Sequence, residues 1–538
     1  MSANFCPRAV LVCCVLYGSV LAQQTALPSS LSNDTDAPAE QTQSLGDVAR
    51  RVRKDTTAEV KMTDEDTKKL FSAVDKIFAF ASEDSGFPKH SSVKRQLVSR
   101  TEVEKYMKDQ MQKAEYVQRF GRSELTMKKF GLLPRNFNLQ EFLVKASGQD
   151  VAGYYDEDTK SISLLNWVAP DRQEPILAHE LTHALQDQNY TLKTWMLRDQ
   201  PEASNKKEGA TADDNDEKQT ARKAVVEGQA MVVYIDYLLA PYGRNLKDMP
   251  GLIYQMEDPA VKATIDSQMM HDAPMILREA GTFPYREGLI FEAELLGNGG
   301  RQMAFAGVFA RPPRNSHEVL QPRAYIEREK LASVRIPDVK EVLGNEYDMY
   351  DSGGFGELDV RALLRQYGTR RVADDLSTAW QGGAYVTLRR TTKTPAAQPT
   401  TGDLALLYVS HWKTPETAAH FAHFYASAVS QRYQKAAVQP AQSCAGTHCP
   451  VSSVQVSTEE GPVIIEQWAD NTVLVSESFD QATAAKLRNV VLNGNEVHAG
   501  NQQPDELSLR LSDVPAFSAF QAAIGRRVLA EIEKRAQD

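Results

Sequence analysis

Residues 173–189 read QEPILAHELTHALQDQN, and the rest of the chain is interpreted outward from them. The stretch holds His179, Glu180 and His183 in the pattern H-E-x-x-H. On a helix, residues four apart lie one above the other, so both imidazoles point into the same space. That suits zinc, which takes neutral imidazole nitrogens at about 2.0–2.1 Å in a tetrahedral shell. Glu180 lies beside such a metal and need not ligate it. A carboxylate there can take a proton from a zinc-bound water. The local sequence supports a helix. Pro175 fits a first-turn position, where its missing N–H costs nothing. Glu174 favours the helix dipole, and Ile176, Leu177, Leu181, Ala184 and Leu185 recur at helical spacing.

Two histidines leave zinc short of a third protein ligand. Residues 221–239 (ARKAVVEGQAMVVYIDYLL) read as a second helix, apolar enough to be buried on most sides. Glu227 is a carboxylate in that apolar run, and burying it is costly unless it is paired or bound to a metal. The competing fate is a salt bridge to Arg222 or Lys223. Glu208 is a weaker candidate, because its surroundings read as loop.

HELTHALQDQ followed some forty residues later by VVEGQA resembles the gluzincin clan of zinc metallopeptidases. It is most similar to poorly characterised exported bacterial proteins of that clan. The resemblance extends through GYYDEDTKSISLL, PPRNSHEVLQP, DSGGFGEL and AWQGGAYVTL, covering about residues 65–490. It implies that His179, His183 and Glu227 ligate Zn2+ and that Glu180 is the general base. It also implies that the strand around residues 161–165 is an edge strand pairing with an extended peptide. Better-known gluzincins carry Asp four residues after the glutamate ligand, where it orients a histidine. Here that position is Met231, so the orienting group is expected elsewhere, at Asp187 or Asp236. A donor for the tetrahedral oxyanion is also needed, and His317, Tyr325 and Tyr234 are the candidates.

At 538 residues the chain is long enough for several domains. Its apolar content of 42% and charged content of 25% are globular values. The net charge of -10 argues against a general nucleic-acid binder. Arg8 precedes an apolar run over residues 9–21, too short to span a bilayer, and then a small-residue cleavage site. Residues 1–22 therefore read as a signal peptide, and the protein as exported, periplasmic or extracellular. No later segment is apolar enough to cross a membrane. Beyond the signal only Cys444 and Cys449 remain, which reads as a disulfide in an exported protein.

Residues 23–57 are polar and read as a disordered leader. Residues 58–331 are expected to form a mainly helical zincin-like domain with a small sheet. It comprises a helix over 63–82, a strand near 93–98, helices near 100–120, 124–131 and 138–146, and a hairpin over 151–165. Residues 201–220 read as a mobile acidic loop. Composition turns strand-rich after about residue 331, predicting a separate α+β domain over 340–495 and then a polar tail over 496–538 with one helix. The fold class is thus α+β. The function expected is an exported zinc metallopeptidase acting on a peptide or protein substrate. The alternative is a zinc-binding but catalytically weak or inactive scaffold.

Overall fold

The computed structural model describes residues 62–102, 105, 114–147, 153–197, 213–249, 251–253, 273–332, 334, 336, 339–391, 399–440 and 449–493. Of the C-terminal segment it describes 517, 521, 522, 524, 525, 528, 529 and 532. The expected signal peptide, leader and Cys444 lie outside the described residues, as does Glu208. All described residues belong to one compact unit, Glu59–Asp538. The architecture is mixed α+β, and no described helix is long and apolar enough to cross a membrane.

Helix α1, Asp64–Ser85, opens on a capping box in which Thr63 and Asp66 satisfy each other's amides. Its stripe of Leu70, Val74, Ile77 and Phe78 is buried, as the spacing predicts. Helices α2, Ala114–Phe130, and α3, Leu139–Ser147, follow a first strand, β1, Lys94–Val98. The hairpin is present as β2, Tyr154–Asp156, and β3, Ser161–Leu165. The sheet order is β1-β3-β2, with β1 parallel and β2 antiparallel to β3. The strand expected at an edge is therefore the centre of its sheet, and all five of its residues are buried. A strand pairing from nearly seventy residues upstream covers the side that local alternation left open.

The H-E-x-x-H helix, α4, spans Pro170–Tyr190. Pro170 takes the first-turn position after Ala169, so the expected role of Pro175 is corrected. Pro175 lies inside the helix, where it cannot donate to the turn before it. The second helix, α5, is Asp213–Leu239 and reaches eight residues back into the stretch expected to be loop. Helix α6, Met275–Gln302, packs along it. Their backbones nearly touch. A Cβ at Gly228 would lie 2.4 Å from the Gly288 carbonyl oxygen, and one at Gly288 2.3 Å from that of Ala224. Only hydrogen fits at either place. Since Gly228 adjoins Glu227, this crossing fixes the part of α5 that carries Glu227.

The second half carries a seven-stranded antiparallel sheet. In chain order its strands are β4, Tyr347–Gly354; β5, Trp380–Arg390; β6, Leu404–Trp412; β7, Ala436–Val438; β8, Ser452–Thr458; β9, Gly461–Gln467; and β10, Thr472–Glu477. Their spatial order is β4-β5-β6-β10-β9-β8-β7. Short helix α7, Ser316–Leu320, precedes them, and helices α8, Glu357–Tyr367, α9, Pro415–Arg432, and α10, Gln481–Asn493, are interleaved. Successive β6 side chains alternate between faces. Leu406 and Tyr408 join the main core, while Ala405, Leu407 and Val409 join a second cluster with Leu487 of α10. The main core is continuous with the first half: Phe130 of α2 stacks on Phe355, with centroids 4.6 Å apart. In the C-terminal segment, Phe517, Ile524, Val528, Leu529 and Ile532 are buried in that same core at helical spacing. Gln521 Nε2 donates to Ala280 O of α6 at 2.9 Å.

Candidate metal centre

Helices α4 and α5 cross so that three side chains meet. His179 Nε2 lies 3.1 Å from Glu227 Oε2 and 3.1 Å from His183 Nε2. His183 Nε2 lies 3.4 Å from the same carboxylate oxygen. One donor atom from each of the three falls within 4.8 Å of the others, the only such group of His, Cys, Asp or Glu among the described residues. With ligand bonds of about 2 Å, this spacing and this nitrogen–nitrogen–oxygen donor set fit a zinc ion. His179 and Glu227 are each 4% exposed, and His183 is half-buried.

The salt bridge weighed against metal binding is present as well. Lys223 Nζ lies 2.9 Å from Glu227 Oε1, one helical turn away. The two fates coexist because they use different oxygens: Oε2 faces the histidines and Oε1 the ammonium. Burial works against a charged Glu227, yet Lys223 and the histidines outweigh it and hold the carboxyl well below its usual range. Burial likewise pulls His183 down, but Glu227 and Glu180 carry it up to about 9.

The group that orients a histidine is neither Asp187 nor Asp236. Gln186 Oε1 lies 2.9 Å from His183 Nδ1. Its amide nitrogen donates to Val226 O and to Gln229 Oε1, both at 3.0 Å. Gln229 in turn donates to Ala304 O at 2.7 Å, so a chain of amides ties α4 to α5 and to the turn after α6. Asp187 is taken by the hairpin, accepting from the Tyr155 hydroxyl at 2.8 Å and pairing with Lys160. Asp236 accepts from Leu246 N and is raised to about 7 by burial and by Asp84. Met231 is core. His179 Nδ1 is buried with no hydrogen-bond partner, and the ring lies beside Tyr285, with centroids 6.3 Å apart.

Glu180 stands outside the three. Its Oε2 accepts from the Tyr155 backbone amide at 2.9 Å, so edge strand β2 orients the expected base. The residues that the sequence reading missed are thus Gln186, Lys223 as a working partner, and the Tyr155 amide. Gln186 carried a readable signal, three residues after His183 on one helix face. The Tyr155 amide carried none, because any residue type supplies it.

The three oxyanion candidates are engaged elsewhere. His317 Nδ1 lies 2.6 Å from Glu357 Oε2, and this carboxylate raises the imidazole against the pull of burial. Its neighbour Ser316 donates through backbone and hydroxyl to Glu217. Glu217 is ten residues before Glu227 on α5, about 15 Å along the helix axis. The Tyr325 hydroxyl donates to Arg311 O at 2.6 Å, the ring lies beneath the Arg311 guanidinium, and burial pushes the phenol up to about 12. The Tyr234 hydroxyl lies 3.4 Å from Leu529 O.

Comparison with known proteins places one part of the chain. Residues 345–488 match the profile of a domain of unknown function, DUF8575. The match begins at the strand-rich region and leaves out all of α4 and α5. No curated protein matches the chain. No solved structure matches it.

Proposed function

We propose that the protein is an exported zinc-dependent metallopeptidase with His179, His183 and Glu227 as its metal ligands. The observation that carries this reading is the convergence of the three donor atoms where α4 and α5 cross. When bound there, zinc supplies Lewis-acid polarisation of a carbonyl and makes water a nucleophile near neutral pH. Glu180, held by the Tyr155 amide next to His179, takes up a proton as general base and returns it to the leaving amine. Lys223 balances the charge on the outer oxygen of Glu227, and Gln186 fixes the ring of His183. Export rests on the signal-like run before residue 22.

One observation favours the second reading, a zinc-binding scaffold: His179 and Glu227 are nearly closed off from solvent, so a peptide needs the site to open. Zinc analysis and digestion of a peptide library by wild type and Glu180→Gln separate the two. The peptidase reading expects both proteins to hold zinc and only the wild type to cleave. Equal cleavage by both removes Glu180 as the base. Zinc without cleavage in either favours the scaffold.

A further inference from the structure

A cavity of about 150 Å³ lies along α5, on the stretch of that helix just before Glu227. Glu217, Thr220 and Lys223 line it from one face of α5, and Glu227 follows one turn on. Lys223 joins the two, since its ammonium sits on Glu227 Oε1. Much of the remaining wall is aromatic, with Phe130 stacked on Phe355 and with Phe283 and Phe517 nearby. Three carboxyl groups line this space beside those aromatic rings: Glu217, Asp351 and Asp359. Asp351 is 6% exposed. Its Oδ2 accepts from the Tyr385 hydroxyl at 3.1 Å, but its Oδ1 is buried with no hydrogen-bond partner.

A buried carboxylate oxygen without a partner is costly, and a cation beside it removes that cost. Burial pushes Asp351 up to about 7 against the pull of Thr126, Tyr385, the Ser352 amide and Arg122, and burial with the charge of Glu217 pushes Asp359 up to about 7. Aromatic faces favour a cation over a neutral or anionic guest. Lys223 does not meet this need, because its charge is committed to Glu227. A space of this size takes a guest of roughly benzene's dimensions, about the bulk of an alkylammonium side chain.

We propose that this cavity binds an aliphatic cation, an ammonium or guanidinium on a short apolar stem. The guest is the side chain of a lysine or arginine next to the scissile bond, an identification that rests on the peptidase reading. The binding of the cation does not rest on it.

Calorimetric titration of the full chain with n-pentylamine and with 1-pentanol tests the cavity alone. The amine is expected to bind about tenfold or more tightly than the alcohol, the margin of one buried charge pair. Asp351→Asn, with Glu217→Gln as a second variant, is expected to narrow that margin while zinc content stays unchanged. Equal binding of the two probes, or no binding of the amine, overturns the inference. Digestion of a mixed peptide library by the zinc-loaded protein then identifies the guest, with lysine or arginine enriched at one position flanking the cut. Amine binding without peptide cleavage removes the peptidase reading and assigns the cavity to a free amine. Amine binding with cleavage indifferent to basic residues removes the side-chain identification. Cleavage indifferent to basic residues, with no amine binding, removes the cavity inference and leaves the peptidase.

Discussion

Gln186 does more for the candidate metal centre than its residue type suggests. It holds His183 Nδ1 and, through Val226 O, the backbone just before Glu227, so one amide sets the spacing of two members of the cluster. Gln186→Leu keeps the bulk and removes both links. It is expected to weaken zinc binding about 10–100-fold, the usual cost of losing an orienting partner, while Glu227→Ala is expected to abolish stoichiometric zinc. Competition titration with a chromogenic chelator measures both, and a Gln186→Leu protein that binds zinc as wild type does would return the orienting role to some other group. The three residues that cluster were legible in the sequence for simple reasons. His179 and His183 obey helical spacing, and Glu227 is a charge in an apolar run. The second layer was not. Asp187 has the right charge and lies one turn from His183, but the hairpin residues Tyr155 and Lys160 claim it. Which of several nearby polar groups meets a histidine depends on how two helices cross, and that is not written in either helix alone.

The elements that place the site depend on the close approach of α5 and α6. Gly228 and Gly288 bring the two backbones into contact, and Ala224 and Glu227 lie on the part of α5 that would move if they separated. Gly288→Ala puts a methyl group against the Ala224 carbonyl. It is expected to destabilise the protein by about 1–3 kcal/mol through overpacking and to lower zinc affinity, since Glu227 moves with the backbone. Thermal unfolding with and without zinc measures both effects. A variant matching wild type in midpoint and in zinc-induced stabilisation would mean that the helices part without disturbing the ligand. Most helices and the hairpin of this half were readable from their periods of 3.6 and 2, but the separate helices expected near 100–120 and 124–131 meet in one helix, Ala114–Phe130, across the expected break. The position of β3 was not readable, because its parallel partner β1 arrives from far upstream and leaves no local mark. The start of α5 was hidden for a different reason. Its first turns are polar and read as loop, while Glu217 there finds its partner in distant Ser316.

Across the whole molecule, the composition shift near residue 331 and the DUF8575 match over 345–488 mark the same region, yet the main core runs through both halves. The region has much of what an independent fold needs. Its sheet carries α10 against one face through the Leu407, Leu474 and Leu487 cluster. Helix α9 lies against the other, with Phe421 stacked on Trp412 at 4.4 Å between centroids. Excision nevertheless removes α2. Lys129 reaches in from α2 to Glu460 at 2.9 Å, Ser478 Oγ at 2.8 Å and Thr401 O at 3.1 Å, and Phe130 covers Phe355 and Tyr408. A fragment covering 340–495 is therefore expected to unfold cooperatively, because each face of its sheet keeps a helix. It is also expected to bind a hydrophobic dye through the Phe355 and Tyr408 patch that α2 no longer covers. Denaturant unfolding followed by fluorescence and circular dichroism tests the first expectation, and dye binding compared with the full chain tests the second. Coincident transitions with strong dye binding fit a self-folding module docked on the first half. A fragment without a cooperative transition would mean that the core contributed by α2 is part of the fold itself, and that the shift in composition marks no boundary in stability.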